Sequence, residues 1–87
     1  MNHEVRFTRP ARKDLRRLDR KDQQRVVEAA ESLADEPRPQ GAEPVKNTPY
    51  LRIRVGQYRI VYEVRDEELL ILVIRAAHRR EVYRRLP

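Results

Sequence analysis

The stretch YLRIRVGQYRIVYEV, residues 50–64, decides the fold. Leu51, Ile53 and Val55 alternate with Tyr50, Arg52 and Arg54; beyond Gly56-Gln57, Tyr58, Ile60, Tyr62 and Val64 alternate with Arg59, Val61, Glu63 and Arg65. A period of two on both sides of a glycine-containing pair predicts a β-hairpin with its turn at Gly56-Gln57. One face of that hairpin is apolar and must be covered. The other carries Arg52, Arg54 and Arg59, three guanidiniums that repel one another unless an anion sits among them.

Moving outward from the hairpin, Asp66 to Glu68 form a polar turn, and LLILVI (69–74) is apolar on both faces, as an interior strand is. The closing AHRREVYRRLP reads as a short helix from about Arg80. On the other side, residues 37–49 hold four prolines and Gly41, a composition that predicts a loop with neither helix nor strand. Ahead of it lie two amphipathic segments. Thr8 caps the first, with Pro10 in its first turn and Ala11, Leu15 and Leu18 as its inner stripe. Asp19 caps the second, with Asp22 in the place of a capping-box acid and Val26, Val27, Ala30, Leu33 and Ala34 facing inward. HEVRFT (3–8) is a short strand. The expected class is therefore α+β, ordered β-α-α-β-β-β: an antiparallel sheet with a helix hairpin on one face and a short C-terminal helix, all in one domain over residues 1–87.

Charged residues make up 39 % of the 87 and the net charge is +6, which suits a polyanionic partner. The excess is uneven. Residues 1–36 hold 9 cations against 8 acids, whereas residues 50–87 hold 9 against 5. A preference for arginine codons explains why 17 of the 20 cations are Arg, but not where they stand.

Several classes of chemistry find no residues here. Without cysteine there is neither disulfide nor thiolate ligand. Two distant histidines and no carboxylate pair at ligand spacing predict no metal and no cofactor. The 2 glycines make no phosphate loop, and Ser32 is the one serine, so no serine triad is expected. MNHEVRFTRP lacks an apolar signal core and Leu69–Ile74 is too short to span a bilayer, so a cytoplasmic protein without membrane contact is expected.

What remains is arginine, tyrosine and histidine. Arg52 and Arg54 lie roughly 7 Å apart on one strand face. Arg59 is across the turn, and Arg79 leaves the last strand close to the same edge. Converging guanidinium forks suit phosphate oxygens, on a nucleic-acid backbone or on a phosphorane-like transition state. The bland alternative is a solvated charged face with incidental salt bridges to Glu63 or Glu81. Tyr83, alone, would be a packing residue with its hydroxyl outward; among arginines its phenolic oxygen could take a proton from a ribose hydroxyl. His78 is the other candidate acid or base, and an ordinary strand-end histidine is the competing reading.

Over essentially its whole length the chain resembles the RelE/ParE superfamily of type II toxins, and its RelE-like ribonuclease branch in particular. The likeness rests on the loop after DEPRP, on RIRVGQYRIVYEV, and on the closing HRREVYRRL, in that order. The resemblance implies a ribosome-dependent endoribonuclease that cuts mRNA without a metal. The 2′-hydroxyl attacks the adjacent phosphate and leaves a cyclic or 3′-phosphate and a 5′-hydroxyl. It implies that Arg52, Arg54, Arg59, Arg79 and Tyr83 carry the reaction, Arg59 and Arg79 stabilising the phosphorane and Tyr83 orienting or deprotonating the hydroxyl. Lys46, Arg80, Arg84 and Arg85 are the further cations expected to touch RNA or the ribosome.

Positions 52 and 54 can be lysine in this branch. Arginine cannot be deprotonated at useful pH, so here both can only bind and stabilise, and base duty falls to Tyr83, His78 or the ribosome's own groups. The implied partners are mRNA, ribosomal RNA and a RelB-like antitoxin whose acidic amphipathic segment wraps the toxin, a complex that binds operator DNA through the antitoxin. Two other readings share the fold: a ParE-like inhibitor of DNA gyrase, and an RNA-binding member that has lost its catalysis.

Overall fold

The structure, a computed structural model of the chain, describes residues 2–84 and Leu86. Strand β1 (Glu4–Phe7) leads into helices α1 (Arg9–Arg16) and α2 (Arg20–Ser32). A minimal strand β2 (Glu43–Pro44) precedes β3 (Leu51–Val55), β4 (Tyr58–Arg65), a single 3-10 turn at Asp66–Glu68, and β5 (Leu70–His78). No helix among the described residues is long and apolar enough to cross a membrane.

Both helices start where their caps predict. The Thr8 hydroxyl accepts from the Ala11 amide at 3.2 Å, and the Asp19 carboxylate accepts from the Asp22 amide at 2.9 Å, each satisfying an otherwise orphaned donor. Ala11, Val26, Ala30 and Leu33 are buried against Ile60, Tyr62, Ile71, Val73 and Ala76. The helix pair therefore covers the apolar face of the hairpin, as its alternation requires. Tyr62 is fully enclosed, its hydroxyl donating to the Pro37 carbonyl at 2.7 Å; burial pushes this phenol up to about 12.

The hairpin turn is where the sequence places it. Val55 faces Tyr58, and Gly56 adopts φ +60, in the left-handed region. A Cβ there would also come within 3.3 Å of the Arg25 guanidinium of α2. The positive φ of the turn is what favours glycine here; the Arg25 guanidinium, the far end of a flexible side chain, would need to shift only slightly.

Three expectations are corrected. First, the sheet is mixed rather than wholly antiparallel. Its order is β1-β5-β4-β3-β2, and β1 runs parallel to β5, with Glu4 opposite Leu70 and Phe7 opposite Val73. The helix pair and hairpin intervene between these strands, long enough a connection for a parallel pair, whereas antiparallel neighbours need only a tight turn. Second, the proline-rich segment 37–49 does contribute a strand. Glu43 and Pro44 pair with Arg52 and Leu51. Proline is tolerated because β2 is an edge, where no outer partner needs its missing N–H. Third, residues 79–84 are hydrogen-bonded turns, not a helix. The amides of Glu81 and Val82 both donate to the His78 carbonyl and that of Arg84 to Glu81, one irregular turn that goes no further. Arg85 and Pro87 lie outside the described residues.

The face turned away from the helices is not simply a row of arginines. Tyr50, Val61, Ile74, Ala77 and Val82 form a second small core there, flanked by Val45, Leu72 and Leu86. A bulge builds it. Val61 pairs with Arg75 but Tyr62 with Val73, so Ile74 is an extra residue without an opposite number and drops into this core.

Past Phe7 the chain leaves the sheet edge to begin α1, and side chains take over as partners of β5. The Thr8 hydroxyl donates to the Ile74 carbonyl at 2.9 Å, and the Ala76 amide donates to Asp14 at 3.0 Å. Asp14 also receives the Arg75 guanidinium in a two-pronged contact, Nε at 2.7 Å and Nη2 at 2.9 Å. Asp14 is 5 % exposed, the one buried charged side chain among the described residues. Its hydrogen bond holds the Arg75 pKa above the ordinary arginine value.

Candidate active site

Arg52 and Arg54 come from β3 and Arg59 from β4, all on the face away from the helices, with Arg54 directly opposite Arg59. Tyr83 reaches this face because the segment carrying it is fixed at three points. The Arg79 amide donates to the Gln57 carbonyl at 2.9 Å, Val82 is fully buried, and the Arg84 carbonyl accepts from Arg75 Nη1 at 2.7 Å. With Val82 turned in, its neighbour is turned out: Tyr83 is 39 % exposed. Its phenolic oxygen accepts from Arg52 Nη1 at 2.8 Å, and the Arg52 guanidinium carbon lies 5.8 Å from the ring centroid.

Arg52 thus has the tyrosine on one side and Glu43 of β2 on the other, at 3.6 Å. The hydrogen bond and charge of Tyr83, then Glu43, raise its pKa above the usual arginine value, so it stays a cation at any working pH. Arg52 and Tyr83 border an open groove of about 580 Å³, lined also by Val45, Lys46, Thr48 and Leu86. Thr48 is held in its turn by donating to the Val45 carbonyl at 2.8 Å and accepting from the Tyr50 amide at 3.1 Å.

The other arginines on this face are held differently. Arg59 bends back so that Nη1 donates to the carbonyls of Gly56 (3.2 Å) and Tyr58 (3.0 Å). Arg54 and Arg79 are exposed, and among the described residues neither has a carboxylate within ion-pair distance. The salt bridges that a merely solvated face would use are not made to these arginines: Glu63 pairs with Arg65 at 3.0 Å instead.

His78 lies apart from Tyr83. It faces Tyr58 across the strands, on the helix side of the sheet, with the ring centroids 6.2 Å apart and edge-on. Its Nε2 meets Gln57 Oε1 at 3.2 Å and its Nδ1 accepts from the Arg80 amide at 3.2 Å, so both ring nitrogens are occupied by the turn. Of the cations expected to touch RNA, Lys46 lines the Tyr83 groove, Arg80 is exposed beside His78, and Arg84 lines a different groove against α1. Arg85 is outside the described residues.

Two residues that matter to this arrangement were not singled out by sequence reasoning. Glu43, in the proline-rich stretch, supplies the carboxylate beside Arg52. Arg75 ties Asp14 to the Tyr83 segment. The signal for Arg75 was a lone charge at the end of an apolar strand, which predicts a buried partner somewhere.

A helix hairpin over one face of a five-stranded sheet, with a tyrosine and an arginine in direct contact on the cationic opposite face, defines a small basic α+β protein. Residues 5–83 match the family described as the ParE toxin of type II toxin–antitoxin systems. The chain belongs to the RelE/ParE family of type II toxins. It is 36 % identical over 88 residues to Toxin RelG of Mycobacterium tuberculosis, an alignment covering 98 % of this chain and all of that one. It is 30 % identical over 81 residues to a RelE-like toxin protein of Escherichia coli, covering 91 % and 85 % of the two chains. Its fold is similar to a chain of the RelBE2 toxin–antitoxin complex of Mycobacterium tuberculosis, with TM-score 0.81, 33 % identity, and 91 % and 100 % of the chains covered. The archaeal RelE–RelB complex of Pyrococcus horikoshii shares the fold at TM-score 0.79 and 24 % identity, covering 93 % and 99 %.

Proposed function

We propose that this toxin is a ribosome-dependent endoribonuclease, and that the Arg52–Tyr83 contact is the centre of its active site. The observation that carries the reading is the 2.8 Å hydrogen bond in an open groove. Arg52 donates to the phenolic oxygen, so the phenol's own proton is directed elsewhere. As a phenolate, the same oxygen would have Arg52 as its counter-ion. Tyr83 takes the proton of the attacking 2′-hydroxyl as the new O–P bond forms. The bond to the 5′-oxygen then breaks and that oxygen takes a proton from water, leaving a cyclic phosphate and a 5′-hydroxyl. Arg54, Arg59 and Arg79 stabilise the charge that develops on the phosphorane. With both nitrogens of His78 engaged by Gln57 and Arg80, base duty goes to Tyr83 rather than to His78.

The partners proposed with it come from the family resemblance: mRNA in the groove, ribosomal RNA on the surrounding cations, and an acidic RelB-like antitoxin that covers the groove at rest and carries any binding to operator DNA. A ParE-like action on DNA gyrase is the second reading, favoured by the family description that the chain matches. One experiment separates the two. Purified protein is added to an in vitro translation reaction and mRNA 5′ ends are mapped, with Tyr83→Phe and Arg79→Ala alongside. We expect ribosome-dependent cuts by the wild type, reduced by about 100-fold or more in Tyr83→Phe, within the range that general-base catalysis contributes. Intact mRNA with the wild type moves the reading to gyrase; full activity in both variants refutes the assigned site.

A further inference from the structure

The guanidinium of Arg75 is shared between two parts of the chain. Its Nε and Nη2 donate to Asp14 of α1 at 2.7 and 2.9 Å, and its Nη1 donates to the Arg84 carbonyl at 2.7 Å. The seam between α1 and β5 needs only the first two. With the Ala76 amide at 3.0 Å, three donors then converge on one carboxylate. A seam kept for stability alone could be simpler still, since apolar side chains of similar volume often replace a buried ion pair without loss. The third arm leaves the seam and holds something else.

What it holds is the backbone beside Tyr83. Residues 79–84 make one irregular turn, with no helical ladder to fix its course. On one side of Tyr83, Val82 is fully buried in the second core. On the other, the Arg84 amide donates to the Glu81 carbonyl at 3.0 Å while its carbonyl accepts from Arg75. Tyr83 is thus carried between two anchored residues. Among the described residues it belongs to neither apolar core, so the place of its ring depends on the backbone under it. That ring delivers its oxygen to Arg52 Nη1 at 2.8 Å.

Only arginine suits this position. A planar fork can direct donors at a carboxylate and a carbonyl together, whereas a lysine ammonium is a compact charge on a flexible stem. Asp14 aims the fork, because its two oxygens fix the guanidinium plane.

We infer that Arg75, aimed by Asp14, is a positioning residue for Tyr83. Helix α1 therefore governs where the phenolic oxygen stands, although it contributes no residue to the Tyr83 groove. The inference rests on the ribonuclease reading for its effect on rate, but not for its effect on the Arg52–Tyr83 contact.

The test is Arg75→Lys, which keeps a cation for Asp14 and removes the arm to Arg84. Should that chain fail to fold, the uncharged pair Asp14→Asn/Arg75→Gln takes its place. The contact is read by fluorine NMR after labelling all 4 tyrosines with meta-fluorotyrosine. Tyr83→Phe identifies the Tyr83 signal, and Arg52→Gln gives its position without the contact. In Arg75→Lys we expect that signal to move toward the Arg52→Gln position, while those of Tyr58 and Tyr62, in the helix-side core, stay in place. An unmoved Tyr83 signal overturns the inference, whatever the protein acts on.

Cleavage of ribosome-bound mRNA is then measured as a double-mutant cycle. Arg75→Lys should lower kcat by about tenfold or more, as small misplacements of a reacting group do. KM should stay within about twofold, since binding is not what is lost. In the Tyr83→Phe background the same substitution should change kcat by less than about twofold, because no hydroxyl is left to position. An equal loss in both backgrounds is what a merely structural residue gives, and it overturns the inference. A wild type that cuts no mRNA, in a protein whose Tyr83 signal moves as expected, leaves the positioning role standing and removes the ribonuclease reading instead.

Discussion

Arg75 and Arg54 carry the same charge on the same sheet, in opposite surroundings. Arg75 sits on the seam between β5 and α1 with a two-pronged carboxylate, a backbone carbonyl, and little exposure. Arg54 sits on the β3–β4 ribbon, exposed, with another arginine opposite. A paired, enclosed arginine holds elements in place. An unpaired one facing its own kind is a standing requirement for an anion, and the fold tolerates it because ribbon and seam lie on separate strands.

The contrast can be broken most severely at the seam. Asp14→Ala should cost about 3–5 kcal/mol, because it leaves a guanidinium and the Ala76 amide unsatisfied together. Urea denaturation reads this directly, and Asp14→Asn, which keeps an acceptor, should lose distinctly less. A cost under about 1 kcal/mol would place the pair with ordinary surface salt bridges. On the ribbon the sign reverses. A polyanion such as heparin, at about 100 times its Kd, should stabilise the wild type by about 2–3 kcal/mol in thermal melts. Arg54→Gln should gain a few tenths of a kcal/mol without the polyanion, and should lose part of the gain the polyanion brings. A melting temperature indifferent to polyanions would contradict this account of the ribbon.

The smallest effect lies at neither place. Hydrogen bonds from Arg38 (3.1 Å) and then His3 (3.1 Å) hold the Asp66 carboxyl below its usual range. Because the folded value is the lower one, the stabilisation is complete above the unfolded carboxylate pKa of about 3.9 and disappears as pH falls through the folded value. Asp66→Asn should therefore be slightly less stable at neutral pH, and its stability curve should meet that of the wild type under strongly acidic conditions. Parallel curves down to the lowest pH would refute the linkage.

Ribbon and seam also differ in how legible they were. The hairpin is local: alternation and one glycine specify it, and the caps at Thr8 and Asp19 depend on residues three positions away. The seam joins Asp14 to residues 61 and 62 positions later, and no periodicity reports such a pairing. Strand direction was hidden for the same reason, since alternation is identical in parallel and antiparallel strands. Within the candidate site, the arginine face could be read from the pattern. The meeting of Tyr83 with Arg52 could not, because it depends on Val82 being buried and on Arg75 holding the next carbonyl.

The parallel pairing of β1 with β5 bears on the order in which the protein can fold. β5 is interior, flanked by β1 and β4, yet it is the last strand to be synthesised. Until residues 70–78 emerge, β1 has no strand neighbour among the described elements and one edge of β4 is unpaired. Nascent chains can therefore form the helices and the hairpin early, but neither groove exists before translation of the domain is nearly finished. Pairing strands so far apart in sequence also slows folding. The Arg52–Tyr83 contact, which needs Val82 seated on the sheet and the Arg84 carbonyl held by Arg75, is consequently among the last features of the fold to assemble, although the hairpin that carries Arg52 forms early.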